Sequence, residues 1–341
     1  MGRDALYAAL RKVEPLLGER PERRYLRIDA GERLQLSATD RDQLVTAELT
    51  ADVDRPGTVI AYGLFLIEFV HRAPEGKIVL RCTGSELRVE APEAYIALST
   101  FPNDVWPRLD HLQEDGVTWT AEALLQLKRV LHAVSPDAAR PVLTGVGFGD
   151  GWAAATDSYR LAAVRLDLPE DANVIIPGQA LEHVLRLSGG SSVLVRFAEQ
   201  RVSFIVGGVT LTTTLLSGPF PDWRQAVPDP QPKAIRADRR DLLAALERIA
   251  FLAQREERCA LHIEPDAAGL RIKARLPDIG HQEERIAGEN TVGNVCLQAR
   301  HLRSLLEQLT MDSVKLSMDE PLRPAVVRED GFVALLMPIR V

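Results

Sequence analysis

Cysteine is scarce in this chain. Of 341 residues three are cysteine, Cys82, Cys259 and Cys296, and no two form a Cys-x-x-Cys pair. An odd number of distant cysteines argues against a disulfide framework or a cysteine zinc site and leaves reduced cytosolic thiols. Basic charge is not in excess either: 41 Lys and Arg stand against 48 Asp and Glu, a net charge of −7. The total argues weakly against a nucleic-acid binder, but the field at a surface depends on where the charges sit. Long hydrophobic runs are missing. The longest, Thr58 to Val70, is too short for a bilayer and contains Glu68. No apolar signal core stands behind Met1-Gly2-Arg3-Asp4, so a soluble cytoplasmic protein is expected.

Catalytic signatures are absent as well. His71, His111, His132, His183, His262, His281 and His301 show no metal-ligand spacing. No Gly-x-Ser-x-Gly occurs. The stretch Gly145-Val146-Gly147-Phe148-Gly149-Asp150-Gly151 lacks the Lys-Ser/Thr ending of a phosphate loop and opens a hairpin, so it reads as a turn. The expectation is a non-enzyme without cofactor or metal.

What is present is a long repeat. Hydrophobic residues make up 46% and charged residues 26%, ordinary for a globular chain. Domains favour ~100–150 residues, so two or three are expected. Ala38-Thr39-Asp40 recurs at Ala155-Thr156-Asp157, 157 − 40 = 117 residues later, close to a third of 341. Solenoid and propeller periods are only ~20–50 residues, so this spacing indicates repeated domains. Asp40 and Asp157 then occupy equivalent places in different domains, as a repeated turn rather than a carboxylate pair.

Each third opens with a helical pattern. Leu6, Leu10, Val13 and Leu17 mark the first, with Asp4 as cap and Gly18 as stop. Leu124, Leu127, Val130, Leu131 and Val134 mark the second, between Thr120 and Pro136. Leu242, Leu246, Ile249 and Leu252 follow Asp238 in the third. Alternating strands come next, at Leu34–Ala38, Trp152–Ala155 and Leu270–Ala274, then Val45–Leu49, Leu161–Leu166 and Glu283–Ile286. Asp150-Gly151 joins a strand expected over Val142–Phe148 to Trp152–Ala155. Second helices are expected over Tyr62–Ala73, Gly178–Leu187 and Gln298–Leu309, each followed by three strands. Phe101-Pro102 with Trp106-Pro107 echoes Pro219-Phe220-Pro221-Asp222-Trp223, and the connectors Arg108–Val117 and Pro228–Pro232 read as linkers. The fold class is α+β, three domains over 1–113, 117–230 and 234–341, each two helices on antiparallel sheet.

Three segments carry a more specific likeness: Ala155-Thr156-Asp157-Ser158-Tyr159-Arg160-Leu161-Ala162, Phe220-Pro221-Asp222-Trp223, and Met337-Pro338-Ile339-Arg340-Val341. Together, in order and on a threefold repeat, they resemble the bacterial sliding clamp family, the beta subunit of the DNA polymerase III holoenzyme. Leu17-Gly18-Glu19-Arg20-Pro21 resembles that family's first loop. The resemblance covers essentially the whole chain. It implies a head-to-tail homodimeric ring of six clamp domains, helices lining the hole, that encircles duplex DNA and tethers the polymerase. Polymerase chemistry would belong to a partner, and the protein would be cytoplasmic and nucleoid-associated. A divergent clamp paralogue serving repair or a mobile element is the alternative.

The DNA-facing candidates are Arg11, Lys12, Arg20, Arg72, Lys128, Arg129, Arg186, Arg239, Arg240, Arg248, Arg300 and Arg303. Glu14, Glu68, Glu122, Glu182, Asp241, Glu247 and Glu307 share those helices, while Pro169-Glu170-Asp171 and Asp319-Glu320 put acid elsewhere. The residues alone leave a positive bore and ordinary solvated helix faces both open. By resemblance, a peptide groove for polymerase, clamp loader, repair polymerases or mismatch-repair proteins comprises Arg140, Leu143, Thr156, Ser158, Tyr159, Arg160, Leu161, Pro221, Gln225, Ala226, Pro324, Leu335, Leu336, Met337, Pro338, Ile339 and Arg340. Its leucines and Met337 would offer an adaptable apolar pocket, and Arg140 and Arg160 would fix polar groups; the residues alone leave a core strand at Leu335–Met337 and a structural salt bridge at Arg160 equally open. Family members often carry Gly at the place of Ser158 and a basic residue at that of Gln225. Phe101 and Trp106 match one side of the ring interface, and Phe251 and Leu252 the other.

Overall fold

A computed structural model describes residues 1–107, 109–113, 115–166, 173–253, 260–276 and 280–340. Pro169-Glu170-Asp171, Cys259 and Val341 lie outside them, as do the side chains of Phe251 and Leu252. From its opening helix onward, each of the first two thirds runs as a helix, four strands, a second helix and three strands, and the last third differs only in having five strands between its helices. The helices are α1 (Arg3–Val13), α2 (Gly63–Arg72), α3 (Ala121–Leu131), α4 (Gly178–Ser188), α5 (Arg239–Ala253) and α6 (Ala299–Leu306). The opening helices start at Arg3, Ala121 and Arg239, so 121 − 3 = 239 − 121 = 118 residues separate them.

Their ends follow local chemistry. Thr120 caps α3, its Oγ1 accepting from the Ala123 N–H at 3.1 Å. Asp238 caps α5, accepting from Arg240 and Asp241 N–H at 2.8 and 3.1 Å. α1 differs from expectation: Gly2 is its N-cap, and Asp4 pairs with Arg3 instead. It ends well before Gly18, because Pro15 turns the chain into a 3-10 turn over Glu14–Leu16. α1 buries Leu6, Ala9, Leu10 and Val13, one stripe at three- and four-residue steps, and packs on α2. α5 packs on α6.

Contacts gather the chain into two compact units, Met1–Leu124 with Gln179–Leu215, and Leu125–Gly178 with Leu216–Val341. The middle third contributes to both. All strand pairing in the sheets is antiparallel among the described residues. The first unit holds an 11-stranded sheet, in which Gln43–Leu49 of the first third pairs with Val209–Thr214 of the middle third. The second unit holds a 9-stranded sheet, in which Arg160–Arg165 pairs with Phe332–Leu336, and a separate 4-stranded one.

The hairpin at Asp150-Gly151 forms as expected, with φ of 51° and 72°, the two positive values a type I′ turn needs. The strand expected from Val142 begins instead at Gly145, because Pro141 opens a 3-10 turn over Pro141–Thr144. The first connector is docked rather than loose. His111 Nδ1 lies 2.7 Å from Thr212 Oγ1 and its Nε2 lies 2.8 Å from Thr46 Oγ1. Arg196 donates to the Leu112 carbonyl at 2.9 Å and Arg201 to that of Asp110 at 3.1 Å. The imidazole thus bridges the seam between strands of different thirds. Burial lowers its pKa to about 4, outweighing the pull of Asp110 and Glu48.

Candidate functional site

The repeated Ala-Thr-Asp is one turn built twice. In the first unit Thr39 Oγ1 donates to the Gln43 carbonyl at 2.7 Å and accepts from the Arg41 N–H at 3.1 Å. Asp40 Oδ1 accepts from the N–H groups of Asp42 and Gln43 at 3.3 and 2.8 Å. In the second unit Thr156 Oγ1 donates to the Arg160 carbonyl at 2.8 Å and accepts from the Ser158 N–H at 3.1 Å. Asp157 Oδ1 accepts from the N–H groups of Tyr159 and Arg160, both at 2.9 Å. The side chains replace missing backbone partners, which is why threonine and aspartate recur. Arg41 and Ser158 both sit at positive φ, 83° and 75°.

The copies diverge at the last residue. Gln43 in one is Arg160 in the other, whose Nε donates to Asp157 Oδ2 at 2.9 Å and whose Nη1 donates to Ser304 Oγ on α6 at 3.0 Å. His132 and His301 complete a buried cluster: Ser304 Oγ lies 3.4 Å from His132 Nδ1, and His301 Nε2 lies 4.0 Å from Asp157 Oδ2. Burial, then the Arg160 charge, lowers His132 to about 3 and His301 to about 4, so both are neutral at pH 7. Arg160 is therefore engaged internally. Two of its five N–H donors tie the turn to α6, a structural role beside the one expected of it.

Above the turn lies an apolar face. Leu161 pairs in register with Leu335, and the two cluster with Ala154, Ala163, Val326 and Val333. Trp152, Phe220, Trp223 and Val227 pack on this cluster and remain partly exposed. Phe220 fits because Gly147 leaves room: a Cβ there would come within 2.4 Å of its ring. The adjoining 3-10 turn Trp223–Ala226 is capped by Asp222, which accepts from the Arg224 N–H at 3.2 Å and from Gln225 Nε2 at 2.9 Å. Pro221, Gln225 and Ala226 are exposed there, and Pro324 is half-buried.

The rim carries the remaining predicted residues. Met337 N–H donates to the Tyr159 carbonyl at 2.8 Å, and both side chains stand out, 40% and 62% exposed. Arg140 Nη1 donates to Ser158 Oγ at 2.8 Å. Pro338 and Ile339 are half-buried and Arg340 is exposed. Leu143 and Thr156 are buried beneath. Leu336 belongs elsewhere. Strand side chains alternate, so it points to the face opposite Leu335, away from the cluster of Leu161 and Leu335, although all three are buried alike. Sequence reasoning missed Trp152, Val227 and Ser304. Phe220 and Trp223 stood within the Phe-Pro-Asp-Trp segment, but Ser304 is 144 residues from Arg160 and gave no signal.

The cation set also divides. Arg129 is buried, its guanidinium paired with Glu329, donating to the Gln308 carbonyl at 2.9 Å and lying 3.9 Å over the Phe332 ring. It cannot face DNA, and this corrects the expectation. Arg239 donates to the carbonyls of Met311 and Leu306, at 3.0 and 3.5 Å. Arg11, Arg72, Arg240, Arg248 and Arg303 are surface ions beside Glu14, Glu68, Asp312, Glu284 and Glu307. Arg20, Lys128, Arg186 and Arg300 are exposed and Lys12 half-buried, with no carboxylate partner among the described residues. On the first unit Phe101 packs tilted against Tyr25 and edge-on against Tyr62, with centroids 4.7 and 4.8 Å away, and Phe65 extends the patch, 63% exposed. Trp106 is half-buried.

Comparison with known proteins identifies the family and the fold. Residues 122–222 match the family model of the DNA polymerase III beta subunit, central domain, and residues 224–340 match its C-terminal domain. The beta sliding clamp of Bacillus subtilis (strain 168) is 26% identical over 309 residues, 84% of this chain and 82% of that protein. That of Staphylococcus aureus (strain Mu50) is 24% identical over 344 residues, covering 92% of this chain and 91% of its own. The crystal structure of the Caulobacter crescentus beta sliding clamp superposes with a TM-score of 0.90 at 25% identity, covering 100% of this chain and 98% of that one. With family-model matches over both its central and C-terminal parts and a fold shared along its full length, the chain belongs to the DNA polymerase III beta subunit family, the beta sliding clamps.

Proposed function

We propose that the protein is a DNA sliding clamp, a non-catalytic processivity factor that encircles duplex DNA as a head-to-tail homodimer and tethers a replicative polymerase. The observation that carries this reading is the likeness to a sliding clamp over the whole chain, not over one domain. Arg20, Lys128, Arg186 and Arg300, with the exposed Arg11, Arg72, Arg240, Arg248 and Arg303 whose surface pairs are weak, are the cations that meet phosphates. A few such contacts and no base contact suit a ring that slides, since each neutralised phosphate adds affinity and salt dependence. The aromatic patch of Phe101, Tyr25, Tyr62 and Phe65 is the surface offered to a second copy. The face of Leu161, Leu335 and Met337 takes short peptides of the polymerase, the clamp loader and repair proteins. The test is retention on DNA after loading: the protein should persist on circular duplex and run off linear duplex. Equal, rapid loss from both would sink the topological claim.

A further inference from the structure

Ser158 is an uncommon residue for its place. Its φ of 75° lies in the left-handed region, where a β-carbon is strained and glycine is not. The strain belongs to the turn, since Arg41 at the equivalent place shows φ of 83°. What distinguishes Ser158 is where its hydroxyl goes. It meets Arg140 Nη1 at 2.8 Å, across 18 residues of chain. Asp137 holds the other edge of the same guanidinium, its Oδ2 3.5 Å from Nε. The Ser158 hydroxyl is thus the short contact that sets where the guanidinium lies, and Asp137 adds a weak, exposed ion pair.

The reference frame for that fix is the groove rim. The Ser158 N–H is bonded to Thr156 Oγ1, and the next residue, Tyr159, accepts from the Met337 N–H. Arg140 is thus registered to the same turn that presents Tyr159 and Met337. Its side chain is 46% exposed, and a guanidinium has five N–H donors, so donors remain for a ligand. The Asp137 ion pair is solvent-exposed and long, so it competes weakly with a ligand carboxylate.

We propose that Ser158 is a positioning residue of the peptide groove, holding Arg140 to receive a peptide carboxylate set beside an apolar side chain. This rests on the peptide-groove reading above. Arg140 touches the ligand, and Ser158 acts through it. The charge-assisted pair supplies specificity, while Met337 and Tyr159 supply apolar area.

The test is a thermodynamic cycle on the full-length chain. The probe is a fluorescent clamp-motif peptide of leucine, phenylalanine and one aspartate, with a second version carrying alanine for the aspartate. Ser158→Gly should weaken the aspartate peptide about three- to tenfold while melting at or above the wild-type temperature, because glycine adopts positive φ freely. Arg140→Ala should weaken it at least as much, and Ser158→Gly should add nothing in that background. Neither change should alter the alanine peptide. Wild-type affinity in Ser158→Gly, or an equal loss with and without Arg140, overturns the proposal. If Met337→Ala weakens the peptide and Ser158→Gly does not, the proposal fails alone. If the wild-type chain binds neither peptide, the groove reading fails and takes the proposal with it.

Discussion

Replacing Arg129 by alanine should destabilise the protein without touching its electrostatics toward DNA. Glu329 is only 4% exposed, and four donors hold it: the N–H groups of Thr310 and Met311 at 2.9 and 3.0 Å, the Thr310 hydroxyl at 3.1 Å, and Arg129. Removing one partner of a buried pair leaves an uncompensated charge and costs about 3–5 kcal/mol. The three other donors stay, which argues for the lower end, and the missing cation over the Phe332 ring adds about 1 kcal/mol. For a unit of this size that is a fall in melting temperature of roughly 10 °C. The double variant Arg129→Met/Glu329→Met should recover only part of it, because the N–H groups of Thr310 and Met311 would then lack an acceptor. Acid sensitivity should change with it. Burial alone would raise the Glu329 pKa, but those N–H groups and Arg129 hold it below 4.5. Its stabilising contribution is therefore complete above 4.5 and lost as pH falls through the folded value. Without Arg129 that loss should begin at higher pH. Urea unfolding at a series of pH values, beside duplex-DNA affinity, checks all of this. A variant as stable as wild type that binds DNA more weakly would refute the buried-pair account.

Other expectations follow from the same geometry. Changing Lys128, Arg186 and Arg300 together to alanine should weaken duplex-DNA binding and flatten its salt dependence by about 0.9 in log–log slope for each phosphate no longer neutralised, with unfolding unchanged. Gly147→Ala should push Phe220 off the apolar face, seen as a shift in Trp223 emission and a weaker clamp-motif peptide; an unaltered spectrum and affinity would show that the ring is not seated as described. His111, held at about 4 against 6.5 in the unfolded chain, stabilises fully above pH 6.5 and progressively less as pH falls to 4. Shifting the pKa by that much is worth about 3 kcal/mol at most, so His111→Gln should flatten stability across this window by up to that amount.

Much of the fold was legible because period and punctuation agreed. Thr120, Asp238 and Asp150-Gly151 ended or joined elements where their side-chain and backbone chemistry says they should. Tyr25–Ala30 and Ala260–Asp266 escaped notice as strands, the first for its mixed polarity and the second for Pro265. The candidate site was legible as segments but not as faces. Leu335 and Leu336 look alike in sequence, and only register with Arg160–Arg165 puts them on opposite sides. Arg129 and Lys128 are adjacent cations, yet one is buried by a carboxylate 200 residues away. Long-range pairing of this kind leaves no local signature.

The pairing of Gln43–Leu49 with Val209–Thr214 also sets a timetable. Ala47 meets Val209, so 209 − 47 = 162 residues must be made before its partner exists. At a ribosomal rate of ~5–20 residues per second the strand waits ~8–30 s as an open edge. Arg160–Arg165 waits similarly for Phe332–Leu336. An unpaired edge is a template for another chain. Synthesis rate and chaperone supply should therefore bear on the yield of this protein more than its final stability does, and slow translation between the thirds should favour aggregates that seal on those two strands.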